Sequence, residues 1–311
     1  MVSLGRSRAG KNSACTVNRI LPSISSASAV LAILLFSPFA YTLFLFNRLS
    51  SIALRKLNAP DLNPKTVVPS SIRSVRKTNA FRCKSKKTLD DDLFKSQDEE
   101  DEELLYVYGF DQICGGTYLE MGGLDGEIFS NSYVFHNALD WKGVLVEASP
   151  PNYAKMIKNR PNEIANVNAG ICGEEKDLHW VDGNDAVNGF LELAAESFQQ
   201  QWWTKEHIDN AKVIKCRTLQ NVLKETVGDH FHFDFFSLDI EGAEYDALMS
   251  IDFNLVSFGV VFVESDEHNP LKNMAVRALL TSVGYSFIKE HHRSAWFVNN
   301  DFGAIYEELI H

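Results

Sequence analysis

The stretch Thr117-Tyr-Leu-Glu-Met-Gly-Gly-Leu-Asp-Gly126 decides the fold. Tyr118, Leu119 and Met121 suit a buried parallel strand that ends on Glu120. Gly122, Gly123 and Gly126 permit a tight turn and the close approach of a nucleotide-like ligand. A helix is expected to open near Asn131-Ser132 and to run through Val134, Phe135 and Leu139. The unit is strand, glycine turn, helix.

Charge narrows the ligand. Dinucleotide sites bring a doubly anionic pyrophosphate onto the turn and the helix N-terminus. Here the turn carries Glu120, Asp125 and Glu127, with no Lys or Arg until Lys142, and Gly122-Gly123-x-x-Gly126 is not G-x-G-x-x-G. Carboxylates repel pyrophosphate but suit a ligand bearing an ammonium and a sulfonium, as S-adenosylmethionine does. A glycine-rich strand end can also be only a turn. Val144-Leu-Val-Glu147 supplies a second apolar strand ending on an acid, 27 residues after Glu120. In a doubly wound sheet that acid lies at the neighbouring strand's tip, where it can accept both ribose hydroxyls. The alternative is a solvated strand end.

Composition divides the rest of the chain. Residues 1–89 hold one acid, Asp61, against fifteen Lys and Arg, without a sustained amphipathic period, so they are not a folded core. Within them, Ala27 to Phe46 is charge-free and rich in Leu, Ile, Phe and Ala. Twenty helical residues rise about 30 Å, enough to cross a bilayer's hydrocarbon core, and Pro38 is tolerable there. We read residues 1–26 as a basic, Ser-rich segment, 27–46 as a single transmembrane anchor or targeting signal, and 47–103 as a disordered stem, basic then acidic. Residues 104–311 are then the domain. These boundaries make the protein a single-pass membrane protein of the endomembrane system. The alternative is an organelle protein with a cleaved presequence, which the basic, Ser-rich flanks resemble.

From Leu104 to His311 there are 31 acids against 14 Lys and Arg. A domain this acidic is a poor nucleic-acid binder, since neutralising phosphates takes a basic face. A small molecule, a glycan or a protein is the partner to expect. Strand and helix alternate through the domain, which argues an α/β sheet with helices on both faces. Further strands are expected at Ile164 to Ile171, Val213 to Cys216, Phe233 to Leu238 ending on Asp239, and Phe258 to Glu264, with closing strands at Tyr285 to Lys289 and Ser294 to Val298. Between Asn184 and Asn210, Trp202-Trp203 is either a lid that stacks on a substrate or ordinary packing. His230 and His232 flank the start of a strand, at the wrong end of the sheet for catalysis.

Four motifs in order carry a resemblance. Tyr118-Leu-Glu-Met-Gly-Gly-Leu-Asp-Gly126 with Ser130-Asn-Ser132, then Trp141-Lys-Gly-Val-Leu-Val-Glu147, Cys216-Arg-Thr-Leu219 and Ser237-Leu-Asp-Ile-Glu-Gly-Ala-Glu244 resemble the FkbM-type methyltransferases over about residues 112 to 298. The resemblance implies a class I methyltransferase (Rossmann-like) seven-stranded sheet whose last strand is antiparallel, S-adenosylmethionine as donor, and a hydroxyl on a glycan or small molecule as acceptor. Carried over by position, it places Glu120, Gly122 and Asp125 at the donor's methionine end, Glu147 at the ribose, Asn168 near the adenine and Asp239 facing the methyl.

A hydroxyl acceptor needs its proton removed, and Asp239 is the first candidate base. Asp239, Glu264 and Asp266 could instead offer oxygen ligands to Mg²⁺. Clustered acids at strand tips are also simply solvated, and the expectation is no metal. Glu244, five residues past Asp239, can cap or pair on its helix. The cysteines form no C-x-x-C and no dense framework, so neither a zinc site nor a disulfide scaffold is indicated. The sequence contains no N-x-Ser/Thr sequon, a weak argument against a secretory lumen. The expected activity is O-methyl transfer; the alternative is a membrane-anchored, non-catalytic binding or trafficking module on the same fold.

Overall fold

A computed structural model describes residues 77–85, 88–183 and 186–310. The expected N-terminal segment, the apolar span 27–46 and the stem as far as residue 76 lie outside them. Among the described residues, no helix is long and apolar enough to cross a membrane.

Seven strands form the central sheet in the order β11-β12-β10-β9-β3-β4-β5. They are β3 (Thr117–Met121), β4 (Lys142–Glu147), β5 (Ala165–Asn168), β9 (Phe231–Leu238), β10 (Val256–Glu264), β11 (Tyr285–His291) and β12 (Ser294–Asn299). The β5, β4, β3, β9 and β10 neighbours pair in parallel, while β12 runs antiparallel to both β10 and β11. The expected antiparallel last strand is therefore present. Parallel pairing puts the C-terminal tips of β3, β4, β9 and β10 on one edge, and those tips carry the acids.

Successive strand residues face opposite sides. Leu119, Val144, Val146, Phe236, Val261 and Phe297 enter one core, with Leu219, Val222 and Leu223 of α6 (Leu219–Thr226), Ala247 and Leu248 of α7 (Glu244–Met249) and Val276 and Leu280 of α8 (Pro270–Ser282). Tyr118, Leu145, Phe235, Val260, Phe262 and Trp296 enter the other, with Val134, Phe135 and Leu139 of α2 (Tyr133–Leu139). Helices cover both faces, as the unbroken apolar runs require.

The structured domain begins earlier than residue 104. One compact unit spans Ser74–His311. β1 (Phe81–Arg82) pairs with β2 (Ile113–Cys114), a disulfide joins Cys83 to Cys114, and Leu89, Leu93 and Phe94 pack on the second core. The described part of the expected stem is thus folded, including α1 (Glu100–Tyr106), whose Leu104 and Leu105 are fully buried. Asp101, in the acidic run, is buried because its carboxylate accepts the Lys95 and Ser96 amides. Glu100, Asp101 and Glu103 are buried, while Asp90, Asp91, Asp92, Glu99 and Glu102 of the same run stay exposed.

A second correction concerns cysteine. Cys172 and Cys216 form another disulfide, closing the segment that holds β6 (Asp177–Val181), β7 (Gly189–Phe190) and β8 (Lys212–Lys215), which make a small antiparallel sheet. Spacing alone does not reveal such pairs, because the partners meet only in the fold. The unanticipated last helix, α9 (Phe302–Ile310), buries Tyr306, whose hydroxyl donates to Asp234 Oδ1 at 2.8 Å. Asp234 is fully buried in β9 and its other oxygen accepts the Thr117 amide at 2.7 Å, which ties the start of β3 to β9.

Candidate active site

A cavity of about 340 Å³ opens over the tips of β3, β4 and β9. That volume is at the low end of small-molecule pockets. Glu120, Gly122, Glu147 and Asp239 line it, joined by Asn131 and Glu241. Four of the six expected site residues are thus brought together.

Glu147 is buried, and backbone amides hold its carboxylate. Leu124 N donates to Oε2 at 2.9 Å and Ser149 N to Oε1 at 2.7 Å. Glu120, by contrast, serves the loop beyond the turn. Its Oε1 accepts the Asn131 amide at 2.7 Å and its Oε2 accepts the hydroxyls of Ser130, at 3.0 Å, and Ser132. Burial pushes its carboxyl up, while Arg160 and these three hydrogen bonds oppose the rise.

Gly122 has a positive φ of 83°, and a Cβ there would lie 1.9 Å from the Asp239 carbonyl oxygen. The glycine is needed by the passage of β3 past β9. Asp125 stands outside the main cavity: its Oδ1 accepts the Glu127 and Ile128 amides, and it lines only a smaller neighbouring recess. Asn168 also stands outside it, with Nδ2 donating to the carbonyls of Glu147, at 2.8 Å, and Ala148, at 3.1 Å. Its strand ends at Asn168 rather than Ile171, and Ala169, Gly170 and Ile171 supply that wall of the cavity.

Asp239 lies one residue past β9. Burial first, then the facing Glu244 carboxylate, raises its carboxyl to about 6. Glu241 is raised to about 9 by burial and by Asp239, Glu244 and Asp266. Burial also drives Glu264 well above the ordinary range, with Asp239, Glu241 and Glu244 adding to it. Glu244 does not cap its helix but closes the turn before it and pairs with another helix. Its Oε1 accepts the Ile240 and Gly242 amides, and its Oε2 lies 2.8 Å from Lys272 Nζ. Asp266 closes its own turn, its Oδ1 accepting the His268 and Asn269 amides, and reaches Glu241 only through its charge.

The tryptophan pair divides. Trp203 is buried, its Nε1 donating to Val187 O at 2.7 Å, whereas Trp202 is 44% exposed and lines the cavity. Asn131 and Glu241 were not picked out from sequence as site residues, although both stand inside motifs quoted above. Gln97, also on the wall, carried no signal at all. His232 is buried in a hydrogen-bonded pair with Tyr306, away from the site.

Residues 120–287 match the model of the methyltransferase FkbM domain, just over half of the chain. The chain belongs to the FkbM methyltransferase family. Membership makes the protein a methyltransferase by family and S-adenosylmethionine the family's implied donor. Among solved structures, this FkbM protein is similar to a SAM-dependent methyltransferase from Aquifex aeolicus, with 12% identity over 64% of this chain and 89% of that one and a TM-score of 0.31. None of the curated proteins matches it.

Proposed function

We propose that this FkbM methyltransferase binds S-adenosylmethionine in the cavity over β3, β4 and β9 and methylates a hydroxyl of a glycan or small molecule. The carrying observation is Glu147, a buried carboxylate oriented by the Leu124 and Ser149 amides at the cavity wall. Asn131 fits the same ligand. Its Nδ2 donates to Ser237 Oγ at 2.9 Å, leaving a buried Oδ1 without a partner on the cavity wall, where it suits an ammonium group.

When bound, the donor supplies an electrophilic methyl on a sulfonium. The protein's own part is to hold and orient. Glu147 would take the ribose hydroxyls, and Asn131 with the Glu120-braced loop would take the methionine end. Asp239, on the cavity wall, would receive the acceptor hydroxyl and withdraw its proton. Exposed Trp202 and buried Phe190 and Trp180 give the cavity an aromatic side that suits the apolar face of a sugar. Calorimetric titration of the full-length chain with S-adenosylmethionine tests the reading. Saturable binding supports it, and no heat at millimolar donor sinks it.

For location, we favour a membrane-anchored protein whose domain faces an oxidising lumen. Two disulfides favour that side, since reducing compartments keep thiols free. Alkaline carbonate extraction should leave the chain in the membrane pellet; release into the supernatant would instead make 27–46 a removed signal.

A further inference from the structure

Beside the cavity, three carboxylates converge with Lys272 and Arg293 near them but paired to other acids. Asp239, Glu241 in the turn that follows it, and Glu264 at the tip of β10 each offer an oxygen, and the three oxygens lie within 4.8 Å of one another. Glu264 is only 6% exposed and its Oε2 has no hydrogen-bond partner. The neighbouring cations are engaged elsewhere: Lys272 pairs with Glu244 at 2.8 Å and Arg293 with Asp98 at 3.0 Å. Among the described residues, no Lys, Arg or His forms an ion pair with any of the three.

A buried carboxylate oxygen with no hydrogen-bond donor is costly, and the two like charges beside Glu264 outweigh the through-space pull of Lys272. The arrangement is also held rigidly. Asp239 N donates to Met121 O at 3.2 Å, and Glu264 sits in register with Ser294 of β12. Glu241 adopts a left-handed φ of 56° in a turn closed by the Ile240 and Gly242 amides on Glu244.

We propose that Asp239, Glu241 and Glu264 together bind one hard divalent cation, Mg²⁺ or Mn²⁺, beside the cavity. An all-oxygen carboxylate set favours these ions over softer metals. Three protein oxygens leave about three positions of an octahedron. Asp239 and Glu241 line the cavity, so those positions open towards it, for water or the acceptor's hydroxyl. Only that last role rests on the methyltransferase reading; there the ion would acidify the hydroxyl, and the Asp239 oxygen not on the ion would take its proton.

The test strips the full-length chain with EDTA and titrates it with Mn²⁺, following free Mn²⁺ by electron paramagnetic resonance, with Mg²⁺ as competitor. A single Mn²⁺ per chain is expected, with affinity falling about tenfold or more in Glu264→Gln and in Glu241→Gln. A parent that takes up no Mn²⁺, or two variants that bind it as tightly as the parent, overturns the site. Should Glu264→Gln lose its fold by circular dichroism, Glu241→Gln, whose side chain reaches the cavity, decides alone. Donor calorimetry on the same samples separates the two readings. Donor binding without Mn²⁺ leaves the methyltransferase and removes the site; glutamate-dependent Mn²⁺ binding without donor does the reverse.

Discussion

Arg160 and Glu120 meet through two shared hydroxyls. The guanidinium donates to Ser130 Oγ at 3.2 Å and Ser132 Oγ at 3.0 Å, and both hydroxyls donate onward to Glu120 Oε2. Arg160 also donates to the Gly126 carbonyl at 2.9 Å and to Tyr118 Oη, and is fully buried. One side chain thereby fixes β3, the end of the glycine turn after it and the loop before α2.

Arg160 also pairs with the buried Glu163 carboxylate at 2.8 Å, so replacing it with Ala leaves Glu120 and Glu163 as buried charges without its guanidinium. The expected loss is about 3–5 kcal/mol of stability, measured by urea unfolding. Arg160→Lys should recover only part, because an ammonium lacks the planar fork that reaches several acceptors at once. A loss in the range of an exposed pair, about 1 kcal/mol or less, would contradict the role.

Glu163 gives a pH signature. Burial raises its carboxyl, but the His136 hydrogen bond, Arg160 and Tyr118 outweigh burial and hold it below the ordinary 4.5. A depressed folded value contributes stability that is present above 4.5 and lost as pH falls through the folded value. Asp239, raised to about 6, acts in the opposite sense, losing its contribution as pH rises through that value. Subtracting Glu163→Gln from the parent isolates Glu163. The stability gap should shrink as pH falls below 4.5; a gap that widens from there on acidification would refute the assignment.

Glu147→Ala should weaken S-adenosylmethionine binding by about 1.5–3 kcal/mol, the worth of hydrogen bonds to a charged group, or about 10- to 150-fold in Kd. Because Glu147 also accepts the Leu124 and Ser149 amides, circular dichroism must accompany the titration. A variant that folds and titrates like the parent would mean that the donor lies elsewhere.

Asp239→Asn keeps shape while removing charge and basicity. Methyl transfer from labelled donor into a glycan extract should fall by about 10²–10⁴-fold with donor affinity unchanged. Donor affinity that collapses together with turnover would move Asp239 into the donor site. The proton acceptor would then be sought at Glu264, since His268 Nδ1 is 3.0 Å from Ser197 Oγ and the ring packs edge-on against Phe198.

The sequence determined the layering and the edge. Apolar strands ending on Glu120, Glu147, Asp239 and Glu264 state where each strand stops, and a parallel sheet gathers such ends on one side. That much is local, because strand burial and turn chemistry are set by neighbours in the chain. Tertiary structure decided what each acid does. Glu120 turned to Ser130 and Ser132, Asp125 and Asp266 closed their own turns, and Glu241 rather than Asp266 joined Asp239 and Glu264. It also decided that residues 88–103 fold, that Cys83 finds Cys114 and Cys172 finds Cys216, and that Gly122 answers to the Asp239 carbonyl. The physical reason is shared: a carboxylate, a thiol or a missing Cβ takes its meaning from the atom it faces, and here that atom often lies tens of residues away along the chain.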